Sequence, residues 1–355
     1  MSVRTLLFSV LCVASTSAMA NANPQLGEQK FAHDWAAACD NRLACEAISL
    51  QPQDGAFDGI FLSLTRASQS GELTITLDSF ETKSDRYRII IDGRIADTGP
   101  ILPATSPPIK ITGPDALRLS RALAKGSTLI LRDGAGAELG TMSLKGSSAA
   151  FQHIDKVQNR AGTKTALTNP GKKALRVKWM ATPIIAAKRI VPSDVTPDAT
   201  TLVSLIESSS CKDERYNVTE DTAYSLGRAD GKARALVMIS CGSGAYNFSS
   251  AAYIGTEETT GKWQFAPAQF DYGDNIRTSD GTLQLLVNAN WDADSQTISS
   301  YAKGRGIGDC GSAESYVWDG AQFRLISAVA MEQCRGSLDW LTLWRAEAKF
   351  EDTKG

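Results

Sequence analysis

The residues of this chain with chemistry to offer are its cysteines, its two histidines and a set of aspartates. Cys39, Cys45, Cys211, Cys241, Cys310 and Cys334 are spread along the chain, and Cys12 lies in an apolar N-terminal stretch. Cysteine thiolates serve as nucleophiles or as soft metal ligands. No pair has C-x-x-C spacing, and only His33 and His153 could add imidazole, so no metal is expected.

Gly308-Asp-Cys-Gly311 has the look of a protease nucleophile loop of the trypsin type, with Cys in the place of Ser. Such a nucleophile needs a base and a group that orients the base. Both histidines lie in the first half of the chain, and an oxidised Cys310 has no thiolate. A structural disulfide is the expected use of Cys310, and no catalytic residue is assigned.

Asp271, Asp274, Asp292, Asp294, Asp309 and Asp319 could supply the paired carboxylates of glycoside hydrolysis, but nothing in the sequence sets two of them across a cleft. Asn290-Trp-Asp-Ala-Asp-Ser-Gln-Thr-Ile298 suggests a calcium loop, yet it lacks Gly at the sixth position and Glu at the twelfth. A polar hairpin turn explains it better. Gly304-x-Gly-x-Gly308 is not followed by a helical pattern, so it is no phosphate cradle. No cofactor is expected.

Recognition chemistry is the remaining lead. Trp318, Trp340 and Trp344, with Arg305, Arg335 and Arg345, are the residue types that dominate interface hot spots. Arg305, Trp318, Arg335 and Trp340 are the binding candidates. The competing reading packs the tryptophans in a β-core and pairs Arg335, next to Cys334, with Asp309, next to Cys310, beside a disulfide.

The elements that must position these groups begin after a leader. Arg4, the apolar run Leu6 to Val13 and Ala18-Met19-Ala20 read as a secretory signal peptide over residues 1–20, with Asn21 as the mature N-terminus. Leu11 before Cys12 argues against a lipid anchor, and no later run is long enough to span a bilayer. The protein is expected in the periplasm or outside the cell. Six cysteines in an exported chain read as a disulfide framework. Proximity favours Cys39–Cys45, Cys211–Cys241 and Cys310–Cys334 among fifteen pairings. Charge is mixed and slightly acidic, with no nucleic-acid footprint.

Residues 26–158 read as an N-terminal β-rich domain. Short β-branched runs at Cys45 to Leu50, Gly59 to Leu64, Glu72 to Leu77 and Tyr87 to Ile91 predict strands. Asp92-Gly93 predicts a type I′ hairpin, and Asp133 to Gly136 another turn. Pro114-Asp115 starts a helix with Gly126 as its C′ residue, and Leu144 to Phe151 opens a second helix carrying His153. Residues 159–178 are a basic stretch, read as a solvated linker, with a docking strip for anionic polymer or lipid headgroups as the sharper reading. Residues 179–350 form a C-terminal β-rich domain with a helix at Pro197 to Ser208. The fold class expected is mainly β with a few short helices, in sandwich- or barrel-like antiparallel sheets stapled by disulfides. A weak internal repeat pairs Ala235 to Cys241 and Gly261 to Phe265 with Leu283 to Ala289 and Trp318 to Phe323, suggesting duplicated sheet units.

Two resemblances follow. Asp34-Trp35…Cys39, the helix Ala116 to Gly126 and Leu144-Lys-Gly-x-x-Ala-Ala150 are similar to the invasion-associated locus B family. The block Gly304 to Gly311, Tyr316-Val-Trp-Asp-Gly320, Phe323-Arg-Leu325, Met331 to Gly336 and Asp339-Trp340…Trp344-Arg345 resembles an uncharacterised bacterial envelope family, domain of unknown function 1176. The likeness runs from Asp34 to Arg345 and implies an envelope setting without a known activity. The expected function is a non-catalytic binding or structural module whose partner is an envelope or host protein or a glycan. The alternatives are an envelope-glycan or peptide hydrolase with an Asp-lined cleft and a small-ligand or calcium-binding periplasmic protein.

Overall fold

The computed structural model describes residues 23–53, 59–79, 86–96, 108–215, 220–273, 275–278 and 281–351. The expected leader, with Cys12 and Asn21, and the candidate Asp274 lie outside the described residues.

The N-terminal part runs β1 (Lys30–Ala32), β2 (Trp35–Cys39), β3 (Cys45–Ser49), β4 (Ile60–Arg66), β5 (Leu73–Ser79), β6 (Tyr87–Ile91), β7 (Arg94–Ile95), β8 (Ile109–Thr112), α1 (Gly113–Leu123), β9 (Thr128–Asp133), β10 (Glu138–Ser143) and α2 (Ser147–Val157). Its first sheet has the order β1-β2-β3-β4-β5-β8, and its second the order β10-β9-β6-β7. Alternation sets the buried face: Leu62, Leu64, Ile75 and Leu77 meet Ile89, Leu129 and Leu131 in one core. Leu119 and Leu123 of α1 and Phe151 and Ile154 of α2 complete that core. The Trp35 ring meets Phe151 edge-on at 5.4 Å. The Asp92-Gly93 turn has φ of 46° and 76°, the positive pair that a type I′ hairpin requires. Gly126 differs from its expected C′ role. Its hydrogen is needed because a Cβ would lie 2.4 Å from Ile91 and 2.8 Å from Leu144.

The C-terminal part holds β11 (Ile184–Lys188), α3 (Ala199–Ser208), β12 (Thr222–Ala229), β13 (Lys232–Ser243), β14 (Phe248–Thr259), β15 (Lys262–Pro267), β16 (Asn275–Thr278), β17 (Gly281–Val287), β18 (Asn290–Asp292), β19 (Thr297–Lys303), β20 (Gly311–Trp318), β21 (Phe323–Met331), β22 (Leu341–Arg345) and β23 (Glu347–Glu351). One antiparallel sheet runs β12-β13-β14-β17-β16, with β15 also on β14, and the next runs β18-β19-β20-β21-β22. Leu236, Leu286, Trp291, Ile298, Tyr316 and Phe323 form the core between them. β11 and β23 make a separate parallel pair. Asp198 caps α3 by accepting from Thr201 N at 2.8 Å.

The expected duplicated units do not form. Leu283 to Val287 belongs to β17 and pairs with β14, inside the same sheet as the first copy, while Phe323 starts a strand of the other sheet. The likeness between the runs is one of apolar strand composition.

The N-terminal and C-terminal parts share a core. All five residues of β2 are buried. Trp35, Ala37 and Cys39 face the N-terminal core, and Ala36 and Ala38 face Met331, Leu341 and Leu343. Alanines let the two sheets approach closely, which explains why an Ala-rich segment of low β-propensity is a central strand. The expected linker at 159–178 divides. Arg160, Thr163, Ala166, Leu167 and Thr168 are buried against the N-terminal part, held by polar contacts, whereas residues 172–176 and 178–181 are exposed.

Candidate functional site

All three disulfides form, as Cys39–Cys45, Cys211–Cys241 and Cys310–Cys334. The first staples the β2–β3 hairpin. The third ties the glycine-rich loop after β19 to the segment before β22. Asp309 lies beside this disulfide, close enough for a cluster of Asp309, Cys310 and Cys334 to offer ligand atoms, but the sulfurs are spent on each other.

The ion pairs here differ from the expected Arg335–Asp309 pair. Buried Asp309 is held by Arg305, whose Nε donates at 2.6 Å, and accepts from Gly336 N at 2.6 Å. The Arg305 bond, aided by the Gly336 amide, holds the Asp309 carboxyl below the usual carboxylate range against the opposing effect of burial. Arg335 turns to the N-terminal part instead. It donates to Asp34 at 2.5 Å, to the Gln51 carbonyl at 2.7 Å and to the His33 carbonyl. Gln51 N returns a bond to the Arg335 carbonyl at 2.9 Å. The i, i+4 neighbour Arg305 reaches Asp309 first, which leaves Arg335 free to clasp the two parts.

The four binding candidates therefore separate. Arg305 and Arg335 share the rim of a polar depression with Gln51, Gln53 and Gln333. Trp318 is 6% exposed and packs on Phe323 at 5.1 Å. Trp344 is half-buried and donates its Nε1 to the Leu325 carbonyl at 3.1 Å. Trp318 also borders a cavity of about 410 Å³ with Arg234, Gln264 and Phe265, whereas Trp340 lines the groove between the two parts.

That groove, of about 480 Å³, opens between the first N-terminal sheet and the sheet of β19 to β22. Its floor includes Ile48, Ala313 and Val329, and its polar lining includes Glu46, Ser63, Thr65 and Thr342. On one wall Tyr301 and Trp340 are stacked, with centroids 5.1 Å apart and planes 17° from parallel. The glycine-rich loop makes room for this pair. A Cβ on Gly311 would lie 3.0 Å from the Trp340 ring and 1.9 Å from the Ala302 oxygen, and one on Gly308 would lie 3.1 Å from the Tyr301 hydroxyl. The motif that suggested a nucleophile loop is a packing device. Glu46 accepts from Thr342 N at 3.0 Å, Thr342 Oγ1 at 3.1 Å and Arg345 at 3.2 Å. Trp340 Nε1 is buried and finds no acceptor among the described residues.

Sequence reasoning missed Glu46, Tyr301 and Thr342. No local signal marks them, because they meet only when β3, β19 and β22 come together. The larger cavity, about 760 Å³, runs from His33 and Asp34 past Ser49 to Thr141 and Lys145, with Arg335 on its rim.

The candidate aspartates are dispersed. Asp271 is engaged by Arg324 at 2.7 Å and Leu325 N at 2.8 Å. Asp319 caps its own turn through Ala321 N and Gln322 N, both at 2.8 Å. Asp292 accepts from Asp294 N and Ser295 N in the β18–β19 hairpin, and these amides lower its carboxyl. None of the described members of the set lines the groove or the larger cavity. Among the described residues no helix is long and apolar enough to cross a membrane.

A shared core, an inter-part clasp and a disulfide-pinned aromatic groove span nearly the whole chain, and so does its family. The chain belongs to the family described as "Protein of unknown function (DUF1176)", whose model matches residues 29–347. It is 28% identical over 337 residues to "Uncharacterized protein YpfG" of Escherichia coli (strain K12), covering 89% of this chain and 92% of that relative. No solved structure matches the chain.

Proposed function

We propose that the protein is an exported, non-catalytic binding module of the bacterial cell envelope, and that it holds a glycan in the groove between β3, β4 and the β19–β22 sheet. The stacked Tyr301–Trp340 pair carries this reading. A sugar ring presents a C–H face that packs on an aromatic plane, and hydroxyls that need polar partners around it. Glu46, Ser63, Thr65 and Thr342 supply those partners along the same groove. Export is supported by the leader pattern at residues 1–20 and by three disulfides, which persist in oxidising compartments. The likeness of the N-terminal part to the invasion-associated locus B family belongs to the same reading.

Hydrolysis of the same glycan is the second reading, because Glu46 and Asp339 both line the groove. It is the weaker one. Both Glu46 oxygens are already engaged by Thr342 and Arg345, so Asp339 lacks a free carboxylate partner.

The test is calorimetric titration with soluble envelope-glycan fragments, against Trp340→Ala, Tyr301→Ala and the core control Trp318→Phe. Binding that falls about tenfold or more in the groove variants and survives in the control supports the reading. New reducing ends during incubation would favour hydrolysis. Equal binding by all four proteins, or none by the wild type, would sink the groove as a glycan site.

A further inference from the structure

A second surface lies away from the groove, on the segment that joins the two parts. From Lys156 to Ser193 the chain carries nine Lys and Arg and no Asp or Glu, although its formal net charge is −2. Within this stretch Lys172, Lys173, Arg176 and Lys178 are exposed, and among the described residues none has an acidic partner. Interleaved with them are Leu175, Trp179 and Met180, which are 44%, 49% and 53% exposed. Of the seven tryptophans, Trp179 is the one left exposed.

The fold holds this segment in place without covering it. Lys173 N donates to the Gly162 carbonyl at 3.0 Å, and Asn159 donates to the Arg176 carbonyl at 2.9 Å. At the far end Glu347 N donates to the Pro183 carbonyl at 2.9 Å, where β11 begins. The backbone is tied down while its apolar and cationic side chains remain outside. Trp and Met in water are unfavourable, and four cations within seven residues, none with an acidic partner among the described residues, repel one another. Both costs fall together against a surface that is anionic and has apolar depth beneath its charge. Tryptophan settles at the headgroup level of a bilayer, and clustered Lys and Arg are drawn to its anionic lipids.

We propose that residues 172–180 form a membrane-surface contact that seats the protein on anionic phospholipid. Coulombic attraction brings the strip to the headgroups, and Leu175, Trp179 and Met180 enter the interface. Two weak signals acting together give reversible attachment where either alone is marginal. The contact does not depend on the glycan reading, since it shares no residue with the groove.

The test is co-sedimentation with vesicles of phosphatidylcholine alone or with phosphatidylglycerol added, at low and high salt. Every variant is purified from expressing cells and checked for an identical N-terminus. The charge variant is Lys172→Glu with Arg176→Glu and Lys178→Glu. The matched control is Lys110→Glu with Lys125→Glu and Lys262→Glu, three exposed lysines elsewhere. Each lost cation should weaken partitioning about fivefold, so the strip variant should lose more than about a hundredfold. Trp179→Ala should lose about tenfold at unchanged charge. Wild-type binding should need phosphatidylglycerol and vanish at high salt. Equal losses in strip and control variants, binding that ignores lipid charge, or binding to a soluble acidic polysaccharide but not to vesicles would each overturn the proposal. All the substituted side chains are exposed, and an unchanged melting temperature confirms that each variant is folded.

Discussion

The Arg335 guanidinium donates to the Asp34 carboxylate at 2.5 Å, across 301 residues of chain. Both side chains are mostly buried, at 11% and 13% exposure. The same guanidinium also satisfies the Gln51 and His33 carbonyls, so one side chain closes several backbone and carboxylate valences at the seam. Arg335→Ala leaves Asp34 desolvated without its counter-charge. Breaking a buried pair this way costs about 3–5 kcal/mol, and the residual exposure here places the expectation at about 2–4 kcal/mol. Urea unfolding measures it. Asp34→Asn in the Arg335→Ala background should recover part of the loss, since no bare charge then remains. A loss below about 0.5 kcal/mol would show that the clasp is dispensable.

Gly311 carries the aromatic pair. Its φ is 138°, and a Cβ there would meet the Ala302 oxygen and the Trp340 ring. Gly311→Ala should destabilise by about 2–4 kcal/mol through backbone strain and overpacking. It should also move Trp340 off Tyr301, which near-ultraviolet circular dichroism reads as a changed aromatic signal. Gly320→Ala makes the comparison, because its φ is also positive, at 104°, but nothing lies within 4 Å of its Cβ. The aromatic signal should be unchanged there.

The β character, the helices at Pro114, Leu144 and Pro197 and the Asp92-Gly93 hairpin were legible, because period, caps and turn chemistry are local. The disulfide pairs followed proximity, and the fold agrees. β2 was not legible as a strand: Trp-Ala-Ala-Ala-Cys has little β-propensity, and the burial of its second face, Ala36 and Ala38, comes from a sheet some 300 residues away in sequence. The groove was half legible. Trp340 stood out by type, but Glu46 and Tyr301 gain meaning only from the sheet-on-sheet packing. Arg335 stood out too, and as a binding residue, whereas its partner is the protein's own Asp34. A buried interface within a chain and one between chains use the same residue types.

Acid should act through Asp309. Its folded carboxyl is held down chiefly by the Arg305 hydrogen bond and, in addition, by the Gly336 amide. A depressed carboxylate contributes stability above its unfolded value of about 3.9, and that contribution is lost as pH falls through the lower folded value. Melting temperatures of wild type and Asp309→Asn should therefore differ most above about pH 4 and converge toward pH 2. A constant difference across that range would mean that Asp309 contributes by shape alone.

Asp155 gives the sharpest test of the N-terminal part, because it holds residues that the sequence suggested were linker. Its side chain is fully buried. It accepts from Leu167 N at 2.9 and 3.0 Å, from Thr168 N at 3.1 Å and from Arg66 at 3.2 Å. Arg66 is buried and also donates to the Thr165 carbonyl at 2.5 Å. Burial, with the Arg160 charge adding to it, brings the Arg66 guanidinium down to about 10 despite the Asp155 carboxylate. Asp155→Ala would leave the buried Arg66 and Arg160 guanidinium groups, which already repel each other, without the Asp155 charge, and would release the Leu167 and Thr168 amides. The expected cost is about 3–5 kcal/mol. Asp155→Asn keeps an acceptor and should cost less. Asp155→Ala with Arg66→Met removes the stranded charge and should be more stable than Asp155→Ala alone, a non-additive recovery that a double-mutant cycle reads directly. Limited proteolysis locates the effect. Cleavage after Arg160 or Lys164 should be slow in the wild type, where this stretch is bonded into the core, and fast in Asp155→Ala, while cleavage after exposed Lys172 should be similar in both. Equal rates at Lys164 would mean that residues 159–168 are held by something other than Asp155.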